Sequence, residues 1–149
     1  MKKLKLDKNF EPCPVDENDE MYPNGIFLFN ISKMIEFILQ NKEQIIFETV
    51  EVSSYRIHVS PNLDQDTVVT AQVSNPIILA EISPGRFNVI DGHHRLERAF
   101  RDGLKEISTY RLTVNQHLKF LTSVKAYTAY VEYWNEKVKE IECSKKKNL

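Results

Sequence analysis

The chain has 149 residues, 42% hydrophobic and 28% charged, which is the balance of a soluble globular domain long enough to bury a core without disulfides. Lys and Arg (20) nearly cancel Asp and Glu (21), so the chain lacks the broadly basic character needed to hold nucleic acid by phosphate neutralisation alone, and only a local basic patch is left open. No apolar run approaches the ~18 residues of a membrane span, the N-terminus MKKLKLDKNF lacks an apolar signal-peptide core, and Cys13 and Cys143 sit near opposite ends, so a reduced, cytoplasmic protein is expected.

In chain order, residues 1–24 are polar, with an acidic run VDENDE, and read as an irregular lead-in. From Asn30 the pattern is helical. Ile31, Met34, Ile35, Ile38 and Leu39 recur at three- and four-residue spacing, with Asn30 or Ser32 as N-cap. QIIFETVEV (44–52) and YRIHV (55–59) carry β-branched and aromatic strand formers. SPNLDQD is a turn by composition, and TVVTAQV (67–73) and NPIILAEI (75–82) predict two more strands. RFNVI (86–90) is a strand, followed by DGHHRLERAFRDG, a helical pattern that Gly103 stops. On that helix Leu96, Ala99 and Phe100 form the apolar face, while Glu97, Arg98 and Arg101 can face solvent. KEISTYRL ends a strand near Leu112, and an apolar stripe from Phe120 to Ile141 predicts one long helix over 115–141, packed on its own domain or dimerising. SKKKNL is a solvated basic tail.

The segment Asp91-Gly92-His93-His94-Arg95 carries the chemistry. A helix start has unpaired N–H groups and a positive dipole end. A glycine there lets an anion approach the backbone, and an arginine in the first turn can add a charge-assisted contact. Metal binding is a rival reading. Adjacent histidines on a helix point ~100° apart, however, and Asp91, His58 or His117 would have to complete the ligand set without any HxxxH or CxxC motif. The plainest alternative is architectural: Asp91 caps the helix, a histidine is a core residue and Arg95 pairs with a carboxylate.

VIDGHHRLERAFRDGLKEISTYRL resembles the phosphate-binding segment of the ParB/sulfiredoxin superfamily: a strand, Gly-x-His-Arg, a helix closed by Gly, then a strand. PIILAEISPGRFNVIDGHHR extends the likeness back through the preceding strand and turn. The resemblance implies a ParB-like, α+β domain over 25–112, built on a small mixed sheet; the C-terminal helix (113–142) and basic tail (143–149) read from periodicity and composition follow it. It also implies binding of a nucleotide (ATP, ADP or CTP, with Mg²⁺) or another phosphorylated small molecule through Gly92, His93, His94 and Arg95, with Asp91 positioning the metal-bound nucleotide.

The motif is most similar to that of free serine kinases, which implies a small-molecule (amino-acid) phosphotransferase in which Asp91 and His93 act in catalysis. The other expectations are a nucleotide-responsive DNA- or protein-binding module of the ParB type, a homodimer through 115–141, and, third, a nuclease. His93 stands where a sulfiredoxin has its catalytic cysteine, so that activity is not expected. No helix-turn-helix pattern follows Leu112, so site-specific DNA reading lacks its element. The family's general-base glutamate is expected from an early segment, where Glu48 and Glu51 are the candidates. Only 14 residues separate Pro61 from Pro76, too few for the helix and flanks that normally intervene there.

Overall fold

The computed structural model describes residues 2–56 and 62–147. The fold is α+β, with two small sheets. A hairpin of β1 (Met21–Asn24) and β2 (Phe27–Asn30) leads into α1 (Ile31–Gln40). Then come β3 (Ile46–Glu51), two short helices α2 (Val52–Arg56) and α3 (Gln65–Thr70), and the antiparallel pair β4 (Ile77–Ser83) and β5 (Arg86–Asp91). Helix α4 (His93–Arg101), β6 (Glu106–Leu112), α5 (Val114–His117) and α6 (Val124–Lys147) complete the chain. The main sheet has the order β3-β6-β4-β5, in which only β4 and β6 run parallel.

Strand β4 is apolar at nearly every position because it is covered on both faces. Its alternation sends Ile77 and Leu79 into one core with Val89, Leu96, Ala99 and Ile107 beneath α4. Ile78, Ala80 and Ile82 go to the other core, with Met34 and Ile38 of α1 and Tyr130, Trp134 and Val138 of α6. The predicted face of α1 holds at Ile31, Met34 and Ile38, while Leu39 is exposed. Asn30 is the N-cap, its side chain accepting from the Lys33 amide at 3.1 Å. At the far end of α4, Gly103 (φ +74) permits a Schellman close, with Leu104 N–H donating to Ala99 O and Gly103 N–H to Phe100 O.

Several expectations are corrected. The lead-in over 1–24 is irregular only as far as Glu20, and it is anchored: Cys13 is buried with its amide on Leu121 O, and Phe10 stacks on Tyr127. TVVTAQV is not a strand. Asp64 caps α3 through the Asp66 amide and the Thr67 hydroxyl, and Val68 is its one buried residue, so a short amphipathic turn outcompetes the β-branched run. Within YRIHV, Tyr55 and Arg56 are helical; residues 57–61, including His58 and Pro61, lie outside the described residues. The single helix over 115–141 is interrupted. A capping box between Thr113 and Gln116 starts α5, a 3₁₀ turn follows over Leu118–Phe120, and extended Leu121 bridges Phe29 before Ser123 Oγ accepts from the Ala126 amide. The apolar face of α6 lies in the chain's own core, and the helix continues through an exposed end to Lys147.

On α4 two faces differ from the periodicity. Glu97 is buried, with Arg56 Nε and Nη2 donating to it at 3.1 and 3.2 Å and Arg101 Nε at 3.2 Å. Phe100 is exposed and lies under the Arg56 guanidinium, 4.4 Å from its ring centre. The carboxylate is drawn inward because α2 supplies its cation, a partner that helix periodicity cannot show.

Candidate functional site

The site is built where β5 ends and α4 begins. Gly92 is the N-cap in a left-handed conformation (φ 97°, ψ 23°), and it supplies no side-chain cap to the amides of the first turn. The need for glycine here has a packing cause. A Cβ at this position would lie 2.6 Å from Ile77 Cγ2 and 2.9 Å from Arg95 Nη2, closer than any side-chain atom is tolerated. The helix start is thereby pressed against the first residue of β4, and no side chain caps its first-turn N–H groups.

Arg95 ties this corner together. Its Nη2 donates to Asp91 Oδ2 and to Pro76 O, both at 3.1 Å, while its Nε is buried with no hydrogen-bond partner among the described residues. Asp91 therefore orients the guanidinium instead of capping the helix. His93 stacks on Tyr22 of β1, with ring centres 5.5 Å apart and planes 22° apart. Both His93 ring nitrogens are buried without a hydrogen-bond partner. Burial pushes the imidazole below its ordinary pKa, an effect that the nearby Val89 backbone and the Asp91 charge only partly offset. His94 Nε2 accepts from the Asp64 amide at 3.4 Å, which ties the cap of α3 to the site.

The five motif residues are thus brought together, and the hairpin adds two that the sequence reading missed, Glu20 and Tyr22. Glu20, exposed overall, has its backbone fixed by Ser32 Oγ (2.7 Å to its amide) and by the Ile31 amide (2.8 Å to its carbonyl). Partial desolvation, then the Asp91 charge, raises its carboxyl pKa, with Arg95 and His94 pulling the other way. Tyr22 has its phenol pKa raised by burial. The signal that could have found them is Asn24-Gly25, a hairpin dipeptide that folds residues 20–22 back beside β2 and the start of α1.

The other candidates lie elsewhere. Glu48 pairs with Arg111 on the β3–β6 side of the sheet, with β6 and β4 between β3 and β5, and Glu51 accepts from Ser54 Oγ at 3.2 Å. Neither takes the role of a base beside Gly92. His117 is fully buried, with Nε2 2.6 Å from Glu81 O and Tyr130 hydroxyl 3.4 Å away. Among the described residues no group of three His, Cys, Asp or Glu side chains is arranged to hold a metal ion, and both cysteines are free. No helix among these residues is long and apolar enough to cross a membrane.

The donor set is mixed: free first-turn amides and a guanidinium beside two carboxylates. Two carboxylates repel a bare phosphate, and they suit one that arrives with a divalent cation. Compared with protein-family models, curated proteins and solved structures, the chain matches none.

Proposed function

We propose that the corner formed by Asp91–Arg95 and Glu20 binds the phosphate groups of a Mg²⁺–nucleotide (ATP, ADP or CTP) or a related phosphorylated small molecule, in the manner of ParB-like domains, and that the chain is a small-molecule phosphotransferase. The observation that carries this reading is the uncapped start of α4 at Gly92, held rigid against Ile77, with Arg95 and His94 projecting from the same turn. The first-turn amides donate to phosphate oxygens without reorganisation, and the helix dipole adds to their field. Mg²⁺, when bound with the nucleotide, neutralises phosphate charge near the two carboxylates. Asp91 holds Arg95 in register, and neutral His93, stacked on Tyr22, closes the inner wall. Glu20, its pKa raised, accepts the proton of an acceptor hydroxyl.

The test is calorimetry with ATP, ADP and CTP, each with and without Mg²⁺, followed by product analysis with free amino acids. One nucleotide should bind, and Arg95→Ala should weaken it by more than about tenfold, because a charge-assisted contact contributes on the order of 1.5–3 kcal/mol. Arg95→Lys keeps the charge but loses the fork, and so separates recognition from folding. Glu20→Gln should abolish turnover and leave nucleotide binding intact. Absence of binding by the wild type at millimolar nucleotide overturns the reading. The alternative, a nucleotide-responsive DNA-binding module, has less support, because α5 is buried at Val114 and His117 and cannot enter a groove.

A further inference from the structure

The N-terminal residues form a strap along α6. Leu4 N–H donates to Asn135 Oδ1 at 2.7 Å, Asn135 Nδ2 returns to Leu4 O at 2.9 Å, and Trp134 Nε1 donates to Lys2 O at 3.2 Å. Further along, the Asp7 amide donates to Tyr127 Oη at 2.9 Å, so the strap runs antiparallel to the helix. Between the strap, the turn joining β4 to β5, and α5 lies a cavity of about 710 Å³. That volume falls within the range of small-molecule sites. Its walls are Tyr127 and Trp134 on one side and Val114 and Leu118 on the other.

The rim has a different character. Lys2, Lys3 and Lys5 border the cavity, and none makes an ion pair among the described residues. Glu81 is the acidic residue in the cavity lining, and its two oxygens already accept from the Gly85 amide (3.0 Å) and the Val114 amide (3.1 Å), while Glu132 and Glu136 share an outer depression with Lys3. The cavity therefore pairs an aromatic and aliphatic interior with three bordering lysines that make no ion pair among the described residues. It is a site separate from Gly92: β4 spans Ile77–Ser83, so the two lie at opposite ends of that strand, roughly 20 Å apart.

We infer that this cavity binds an amphipathic organic anion, its aromatic or acyl body against Tyr127 and Trp134 and its carboxylate, sulfonate or phosphate head among Lys2, Lys3 and Lys5. Burial of the body supplies affinity without direction, and the lysines select for charge at one end. This inference goes beyond the nucleotide reading and does not depend on it. A strap fastened at Lys2, Leu4 and Asp7 is also the element whose seating such a ligand would reinforce.

Trp134 is the single tryptophan of the chain, so the site carries its own reporter. The probe is 1-anilinonaphthalene-8-sulfonate, titrated into the full chain and read by energy transfer from Trp134, with N-phenyl-1-naphthylamine as the uncharged counterpart. The sulfonate should bind at least about tenfold more tightly than the neutral amine. The triple substitution Lys2→Gln, Lys3→Gln, Lys5→Gln should remove most of that preference while leaving the neutral probe unchanged. Wild-type affinity for the sulfonate should also fall as salt rises, a second reading that needs no variant. Equal affinity for the two probes, no transfer from Trp134, or a salt-independent affinity overturns the inference.

Discussion

Replacing His117 by Gln should remove a defined part of the protein's acid sensitivity. Its Nε2 lies 2.6 Å from Glu81 O, and since a carbonyl only accepts, Nε2 carries the proton of a neutral ring. Protonation would have to occur at Nδ1, which is buried without a partner. Burial accordingly lowers the pKa from 6.5 to about 4, with the Glu81 carbonyl and the residue's own backbone offsetting part of the effect. Between these two values the unfolded chain takes up a proton that the folded protein refuses. Stability from this group is therefore lost as pH falls from the unfolded pKa towards the folded one. The drop from 6.5 to about 4 corresponds to about 3 kcal/mol across that window. A Gln amide can still donate to Glu81 O but does not titrate. Urea denaturation of both proteins from about pH 7 to about pH 4 should show the wild type losing its advantage over the variant by about that amount. Parallel pH profiles would refute the burial argument, since the carboxylates and His93 titrate alike in both.

Two further substitutions test the architecture of the site. Gly92→Ala places a Cβ 2.6 Å from Ile77 at φ +97°, and should cost about 2–4 kcal/mol by urea denaturation; a cost below about 0.5 kcal/mol would mean that helix and strand are not pressed together. Glu97→Gln leaves Arg56 and Arg101 without their shared carboxylate and should cost about 1–2 kcal/mol, discounted because both guanidiniums are partly exposed. The two arginines hold the Glu97 pKa below its ordinary value, so its contribution is present above the normal carboxylate range and lost as pH falls through the lowered value. The Glu97→Gln variant should lack that acid loss in the same melts.

What the sequence determined by itself is mostly local. A β-branched run, Asp91-Gly92, an amphipathic stretch and Gly103 are enough to specify strand, helix start and helix stop, because each signal acts within one turn of the backbone. The mixed α+β character and the glycine start of α4 were legible for the same reason. Tertiary structure decided whatever required a partner distant in sequence. The apolar stripe after Leu112 reads as one helix, yet Leu121 leaves it to bridge Phe29, a contact from the other end of the chain. The valines of α3 favour a strand, yet Asp64 caps a helix there and Val68 is buried from it. Periodicity also puts Glu97 in water, whereas Arg56 brings it inside. Glu20 comes near Asp91 and Arg95 because the β1–β2 hairpin and the Ile31 amide fold the lead-in back, with Tyr22 stacked on His93. Propensity acts over a few residues, while packing and charge pairing act between surfaces that only the finished fold brings together.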